Sequence, residues 1–219
     1  NKNHTLLGIT FAGLASLPAL VLALDEPEPT VNRAEVGIGY VSDDAYRFGR
    51  YTGLEDQGVY LIGDIQAEGF ADHGRFWSLR GTNLGLESRY LRLEGGYLHR
   101  QHYYLEYDQL PNYKSDTGAS PFLNIGDAGL SLPAGFNIAT DLPATLSPIE
   151  IQTERKRLGV GADFFSRTPW ELSVDYSHER KDGIDRLGGM IANGSSQVVR
   201  NATTSLLPEP IDYRTNRAD

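Results

Sequence analysis

The sequence predicts an all-β fold, an antiparallel β-barrel wall that crosses a membrane. Three observations indicate it. Long segments alternate apolar with small or polar side chains, the links between them are short at one end and long at the other, and no second apolar run long enough for a membrane helix follows the first 24 residues. The composition, with 24 Gly, 11 Pro and 40% hydrophobic residues, is typical of a protein rich in strands and turns.

The N-terminus predicts export. Lys2 precedes an uncharged stretch from Thr5 to Leu24, in which "VLA" at Val21–Ala23 is typical of a cleavage site. An uncleaved membrane anchor is the alternative, because about 20 apolar residues can span a bilayer. We expect the chain to divide into a signal peptide at 1–23, a periplasmic segment at 24–32, and the N-terminal part of an outer-membrane barrel at 33–219.

Seven alternating segments follow the export signal, at 33–41, 58–68, 75–83, 89–97, 102–110, 157–164 and 170–177. Successive strand side chains point to opposite faces. The first segment therefore has an apolar face of Ala34, Val36, Ile38 and Tyr40 opposite Arg33, Glu35, Gly37 and Gly39. Such segments are longer than the average strand of about 5–6 residues and match the 9–11 or so that cross an outer membrane.

The other six segments repeat this pattern, with Tyr60 and Ile62 as polar-face exceptions in the second. Aromatic residues lie toward the ends of several apolar faces, as in the girdles at a bilayer interface. The remaining apolar faces comprise Val59, Leu61, Ile65 and Ala67; Trp77, Leu79 and Gly81; Leu91, Leu93 and Tyr97; Tyr103, Leu105 and Tyr107; Leu158, Val160, Ala162 and Phe164; and Trp170, Leu172, Val174 and Tyr176.

The links predict the orientation of the barrel. Short links follow the second, fourth and sixth segments ("FADHG", "LHRQ" and "SRTP"), and long ones follow the first, fifth and seventh, at 42–57, 111–150 and from Asp182 onward. Outer-membrane barrels have short periplasmic turns and longer extracellular loops, so the long links should lie outside the cell. Seven strands are fewer than the even number, from 8 upward, of a closed bacterial barrel, so we expect an incomplete wall.

Charge and cysteine content exclude several functions. A net charge of -9 without a basic patch argues against nucleic-acid binding, which needs cations to neutralise phosphates. The chain has no cysteine, so it cannot form the C-x-x-C-H site that attaches a c-type haem. Any redox cofactor must therefore be carried by a partner.

The polar faces carry mixed charge and predict a hydrated lumen. We expect these residues to pair with one another or to contact a partner, the candidates for contact being Arg80, Arg92, Glu94, Glu106, Asp108, Arg157 and Asp163. Asp43 and Asp44 supply too few ligands for calcium, and His99 and His102 should lie on opposite faces of a strand. We find no catalytic or metal-binding motif and predict a protein that is not an enzyme.

Four stretches together resemble a known family: "VGIGYVSDDAYRFGRYTGLEDQGVYLIGDI", "WSLRGTNLGLESRYLRLEGG", "YYLEYDQLPNY" and "LLPEPIDYRT". In this order, from about Glu35 to Thr215, they resemble the opening portion of the MtrB/PioB decahaem-associated outer-membrane proteins. The most specific part is the string from Gly39 to Leu54. The motif residues are Gly37, Gly39, Tyr40, Asp43, Asp44, Phe48, Gly49, Tyr51, Gly53 and Leu54.

The resemblance implies an outer-membrane sheath around a periplasmic multihaem (decahaem) c-type cytochrome, through which electrons pass between periplasm and exterior. An outer-surface multihaem cytochrome is a further candidate partner, and haem would be carried by the partners. Two alternatives stay open. One is a general or substrate-specific porin without a cytochrome, and the other is a secreted soluble β-sandwich that binds a ligand.

Overall fold

The computed structural model describes residues 32–127, 129–137, 140–165, 170–192 and 202–219. The predicted signal peptide at 1–23, nearly all of the segment 24–32, and the "SRTP" turn lie outside the described residues. No helix in the described part of the chain is long and apolar enough to cross a bilayer.

The described chain forms one antiparallel sheet in which each strand pairs with its neighbour in sequence, in the order β1 to β8. The only described helical elements are a 3-10 turn at Asp72–Gly74 and one α-helical turn at Leu142–Thr145. The strands are β1 Arg33–Val41, β2 Gly58–Ala71, β3 Arg75–Thr82, β4 Tyr90–Tyr97, β5 Gln101–Ser120, β6 Ser147–Phe165, β7 Glu171–Ala192 and β8 Ala202–Ala218. The open β-barrel wall predicted from the alternation is confirmed.

The prediction of seven strands was wrong, since the described residues form eight, and two predicted links were too long. β5 continues to Ser120, β6 begins at Ser147, and β7 continues to Ala192. Pro111 and the polar residues around it are typical of a loop, which is why the sequence analysis ended the fifth strand at residue 110. However, pairing between β4 and β5 ends at Tyr90 and Asp108, so Pro111 lies beyond that ladder and its missing N–H breaks no bond to β4.

The apolar faces of the strands join into one belt. Cross-strand pairing places Ile38 beside Leu61, Leu79 beside Leu93, and Leu105 beside Val160. Members of this belt are widely exposed: Val36 is 68% exposed and Leu172 59%. Such a face cannot be the core of a soluble sandwich, because its side chains contact no second sheet in the described part of the chain; a lipid environment explains it.

The links confirm the predicted asymmetry in the described part of the chain. At one end, β2 and β4 are followed by turns at 72–74 and 98–100. At the other end, the links at 42–57 and 121–146 are much longer, and the β3–β4 link at 83–89 is intermediate. In outer-membrane barrels the longer loops are extracellular, and we infer on this basis that the long-link end of the wall faces the cell exterior.

Beyond the belt, β5 to β8 continue toward the long-link end as an extension, residues 109–120, 147–156, 179–192 and 202–214. Here the polarity of β6 is reversed. Ile149 and Ile151, on the inward face, are 4% and 1% exposed, while the outward side carries Glu150 and Glu154. The extension therefore has an interior core like that of a water-soluble protein.

Candidate functional site

The structure places all seven predicted contact residues on the face opposite the belt, which is the lumen face of the wall. Strand pairing sets Arg80 beside Arg92, and Arg92 beside Glu106. The other members lie on the same face in neighbouring register positions, namely Glu94 opposite Tyr104, Asp108 opposite Arg157, and His102 opposite Asp163. These charges converge because the strands present every second residue to the lumen.

Arg92 is the centre of the lumen network. Its Nη1 lies 2.7 Å from Glu106 Oε2, its Nε donates to Glu94, and its guanidinium lies 4.3 Å from the centre of the Tyr104 ring. The Tyr90 hydroxyl donates to the same Glu106 carboxylate at 3.1 Å. Two carboxylates and an aromatic face thus hold one cation, an arrangement that fixes side chains from β4 and β5 together.

His102 extends this network toward the periplasmic end. Its Nδ1 lies 2.9 Å from Asp163 Oδ2, its Nε2 lies 3.7 Å from Glu94 Oε2, and Ser173 donates to Asp163 at 2.6 Å. Sequence reasoning considered His102 only with His99, which lies in the turn after β4. Its position on the lumen face could have been predicted from the sequence, because His102 alternates with the apolar belt residues Tyr103 and Leu105.

Three further contacts tie the later strands to the network. The Tyr104 hydroxyl donates to Asp175 on β7, across β6. A side chain at Gly161 would collide with the Tyr104 ring and Asp175, so glycine is required there for the contact to form. Arg155, which the sequence analysis did not single out, donates to Asp108 at 2.7 Å, and Arg157 lies 3.9 Å from Glu106.

Arg80 differs from the other six predicted residues because it has no hydrogen bond or ion pair within the described residues. It is exposed on the lumen face and lies directly across from Arg92, a like charge. Glu68, two positions from the Arg80 partner Gln66, lines the same open cleft together with Ser78 and Glu94. An unneutralised cation facing the lumen is available to an anionic group from outside the chain.

The motif residues from Asp43 to Leu54 form a folded loop at the extracellular end. The loop is closed at its base by Ala45 N donating to Glu55 O at 2.7 Å and by Gln57 N donating to Asp44 Oδ1 at 2.7 Å. Gly49 is buried against the backbone of Leu54 and Glu55, where any side chain would collide. Gly37 and Gly39 lie on the inward side of β1, and Tyr40 lies on the belt; Phe48 and Tyr51 are exposed, and Leu54 is half-buried.

This loop packs against β5 through a set of acids and tyrosines. The Tyr113 ring meets that of Tyr46 in the loop edge-on at 5.1 Å, and the Tyr113 hydroxyl donates to Glu87 in the neighbouring β3–β4 link. Burial, and then the nearby Glu87 carboxylate, raise the pKa of Tyr113. Burial also raises the pKa of Glu55, whose Oε2 is enclosed without a hydrogen-bond partner. Burial in the loop therefore disfavours ionisation of Glu55 relative to an exposed glutamate.

No metal centre is formed in the part of the chain that the structure describes, since no three His, Cys, Asp or Glu side chains there meet in a geometry that could hold an ion. The adjacent acids Asp43 and Asp44 lie in the closed loop, where Asp44 accepts the bond from Gln57. Glu106 is engaged by Arg92 and Tyr90. The charges on the lumen face can therefore line a hydrated passage or receive a polar guest.

An apolar belt on one face, a charged lumen on the other and long links at one end define a porin-like β-barrel protein of the bacterial outer membrane. The sequence comparisons agree. Residues 40–219 match the family model of MtrB/PioB outer membrane β-barrel porins, and the chain belongs to this family.

One relative is "Outer membrane protein MtrB" from Shewanella baltica (strain OS185), which is 26% identical over 188 residues. The match covers 83% of this chain and 26% of the relative. The chain thus spans about a quarter of the length of the curated relative that it matches.

Proposed function

We propose that this chain forms part of a porin-like sheath that holds a multihaem c-type cytochrome, so that electrons can cross the outer membrane. The observation that carries the proposal is the sharp division between the exposed apolar belt and the charged lumen face. A cytochrome with a polar surface cannot lie in hydrocarbon. A wall that is apolar outside and hydrated inside gives such a guest a path across the bilayer.

The lumen network supports this function because most of its charges are already neutralised. Arg92, Glu106 and Asp163 all have partners within the wall, so their side chains are held in fixed positions. A wall of this kind presents a firm, wet surface and leaves few free charges to attract ions. Under the proposal, the chain supplies no catalytic group and no cofactor, and the haems belong to a periplasmic multihaem partner.

The resemblance to MtrB/PioB proteins supports a multihaem cytochrome as the occupant of the lumen. The family match by itself supports only an outer-membrane porin. The direct experiment is affinity purification of the full-length protein from outer membranes, followed by haem staining of the bound fraction. We expect a haem-positive companion in a fixed ratio to the barrel. A bare barrel that admits small solutes after reconstitution would instead support a general or substrate-specific porin.

Arg80 provides a residue-level test of the same proposal. We expect Arg80→Ala to weaken cytochrome association about fivefold at low salt, corresponding to about 1 kcal/mol for one charge contact at an interface. Added salt should reduce this difference, because ions screen exposed charges. The control is Arg75→Ala, on the same strand but on the opposite face, which should leave association unchanged. Equal effects of the two substitutions would exclude a lumen contact at Arg80.

A further inference from the structure

Three basic side chains form a row on the outward face just beyond the belt. Strand pairing places Lys156 of β6 beside Arg180 of β7, and Arg180 beside Arg214 of β8. All three share the outward side with Leu158 and Tyr176, the last apolar belt residues of β6 and β7. Their side chains are 46%, 48% and 62% exposed, in the same order.

The height of this row matches the lipid headgroup layer. The upper edge of the belt runs obliquely across the strands, since Leu158 pairs with the polar His178 while Tyr176 pairs with Val160. Barrel strands tilt by roughly 40° and lie about 4.8 Å apart, so neighbours in a row differ in height by about 3 Å. The three cations thus span about 6 Å, similar to the headgroup layer of about 5–8 Å on each side of a bilayer.

Three carboxylates form the next row, farther from the membrane. Glu154 pairs with Asp182, and Asp182 pairs with Asp212. Every cation of the row has a carboxylate neighbour in this second row. Lys156 Nζ lies 2.5 Å from Glu154 Oε2, Arg180 Nε lies 3.3 Å from Asp182 Oδ1 and 3.6 Å from Asp212 Oδ1, and Arg214 Nη2 lies 3.6 Å from Asp212 Oδ2. Ion pairs as exposed as these are weak, about 0–1 kcal/mol, so a phosphate can replace them. The order is consistent along the row, with positive charge on the lipid side and negative charge on the water side.

We propose that Lys156, Arg180 and Arg214 bind the phosphate groups of a phosphorylated glycolipid in the outer leaflet. The row lies at the long-link end of the wall, which faces the cell exterior. Arginine presents a planar fork of donors that fits phosphate oxygens bidentately, and a lysine ammonium contributes a point charge. This lipid site is on the outside of the wall and is independent of what occupies the lumen.

The test compares two charge-neutralised variants of the full-length protein in vesicles that contain bisphosphorylated lipid A. In the first, Lys156, Arg180 and Arg214 are replaced by Gln. In the second, a matched control, Glu154→Gln, Asp182→Asn and Asp212→Asn neutralise the carboxylate row. Native mass spectrometry then measures the lipid A that remains bound. Each basic residue near an anionic surface contributes about 1 kcal/mol, or about fivefold, so we expect at least a tenfold loss in the first variant.

The control variant should retain lipid A or bind it more tightly. Arg180→Lys with Arg214→Lys keeps the charges and should retain most binding, which separates a charge effect from misfolding. With dephosphorylated lipid A, the wild type and the first variant should bind equally. Unchanged binding in the first variant, equal losses in both charge-neutralised variants, or equal binding of phosphorylated and dephosphorylated lipid by the wild type would overturn the proposal.

Discussion

The two halves of β6 show how one strand serves two surroundings. From Leu158 to Phe164 the apolar side chains point outward and are 40–47% exposed at Leu158, Val160 and Phe164. From Ile149 to Thr153 the less polar side chains point inward and are almost fully buried. The period of two is the same in both halves, but the apolar side changes.

The switch occurs where the strand leaves the belt, between Thr153 and Leu158. Inside the bilayer, lipid is the apolar solvent, so apolar residues face outward and the lumen is wet. Above the bilayer, water lies on the outside, and an apolar core must be made within the protein. Alternation of apolar and polar residues thus predicts a strand that lies between two unlike environments. Whether the apolar residues point outward or inward tells which side of the strand is apolar.

The difference between the two halves of β6 is tested most directly by truncating one apolar side chain in each half. Ile151→Ala should lower the free energy of unfolding of the extension by about 2–5 kcal/mol, because it leaves a cavity among buried neighbours. Val160→Ala should cost less than about 1 kcal/mol, since lipid can fill the space next to a side chain that already faces it. Urea unfolding in vesicles measures both values. Equal costs would show that the two halves have the same environment.

A second comparison places the same charge in lipid and in water. Leu105→Arg, on the belt, should destabilise the folded protein by about 2–4 kcal/mol, as expected for a cation facing the middle of a bilayer. Leu187→Arg, on the extension, replaces a side chain that is 54% exposed beyond the belt and should cost less than about 0.5 kcal/mol. The same urea assay applies. A cost at Leu187 as large as at Leu105 would contradict the assigned position of the belt.

The ion pair between Lys114 and Asp185 predicts an acid-sensitive extension. Burial opposes ionisation of Asp185, but the ammonium of Lys114, at 2.6 Å, lowers the pKa of this carboxyl below its usual value. Its stabilisation is therefore complete above the unfolded pKa of about 3.9 and is lost as pH falls through the lower folded pKa. Asp185→Asn should cost about 1–2 kcal/mol at pH 7, between the values for exposed and buried pairs.

Hydrogen exchange of β5 and β7 between pH 2 and pH 7 measures this effect. The acid limb is the loss of exchange protection as the pH falls. It should be less steep in the Asp185→Asn variant than in the wild type. Glu179→Gln, on the same strand, is the control and should leave the acid limb unchanged. A wild-type acid limb that persists in Asp185→Asn would show that other carboxyls determine it.

Glu55 predicts a smaller effect with the opposite sign. Burial raises its pKa, so the folded loop binds more protons than the unfolded chain above about pH 4.3. The stability of the loop should then fall as pH rises through the raised folded pKa. Glu55→Gln should remove this slope and slow proteolysis of residues 42–57 at neutral pH, whereas the exposed Asp56→Asn should not. Faster cleavage of Glu55→Gln than of the wild type would contradict this account.

The membrane part of the wall was predictable from sequence because lipid imposes a simple rule on every strand. β1 begins and ends where the alternation placed it, at Arg33 and Val41, and the seven predicted lumen residues share one face. The extension was not predictable in the same way. Its strands contain Pro111, Gly118, Pro208 and Pro210, which usually indicate turns, and no lipid-facing stripe marks them.

Within the lumen, the sequence supplied the charges but not their partners. Which acid meets Arg92 depends on strand register, and that is decided when several strands pair at once. Alternation along β5 places His102 and Tyr104 on the lumen face, but their partners are decided only when β5 lies between β4 and β6. The contact of Tyr104 with Asp175 also requires Gly161, which lies on the strand between them.

By itself, the sequence determined the two faces of the wall and the absence of a thiol to attach haem, because each follows from residue type and local spacing. Tertiary structure alone decided how far the strands extend, which charges neutralise one another and which, like Arg80, have no partner among the described residues. Those outcomes depend on contacts between residues that are distant in sequence. The alternation of side chains along one strand is the same whichever strand pairs with it, so it does not identify the partner.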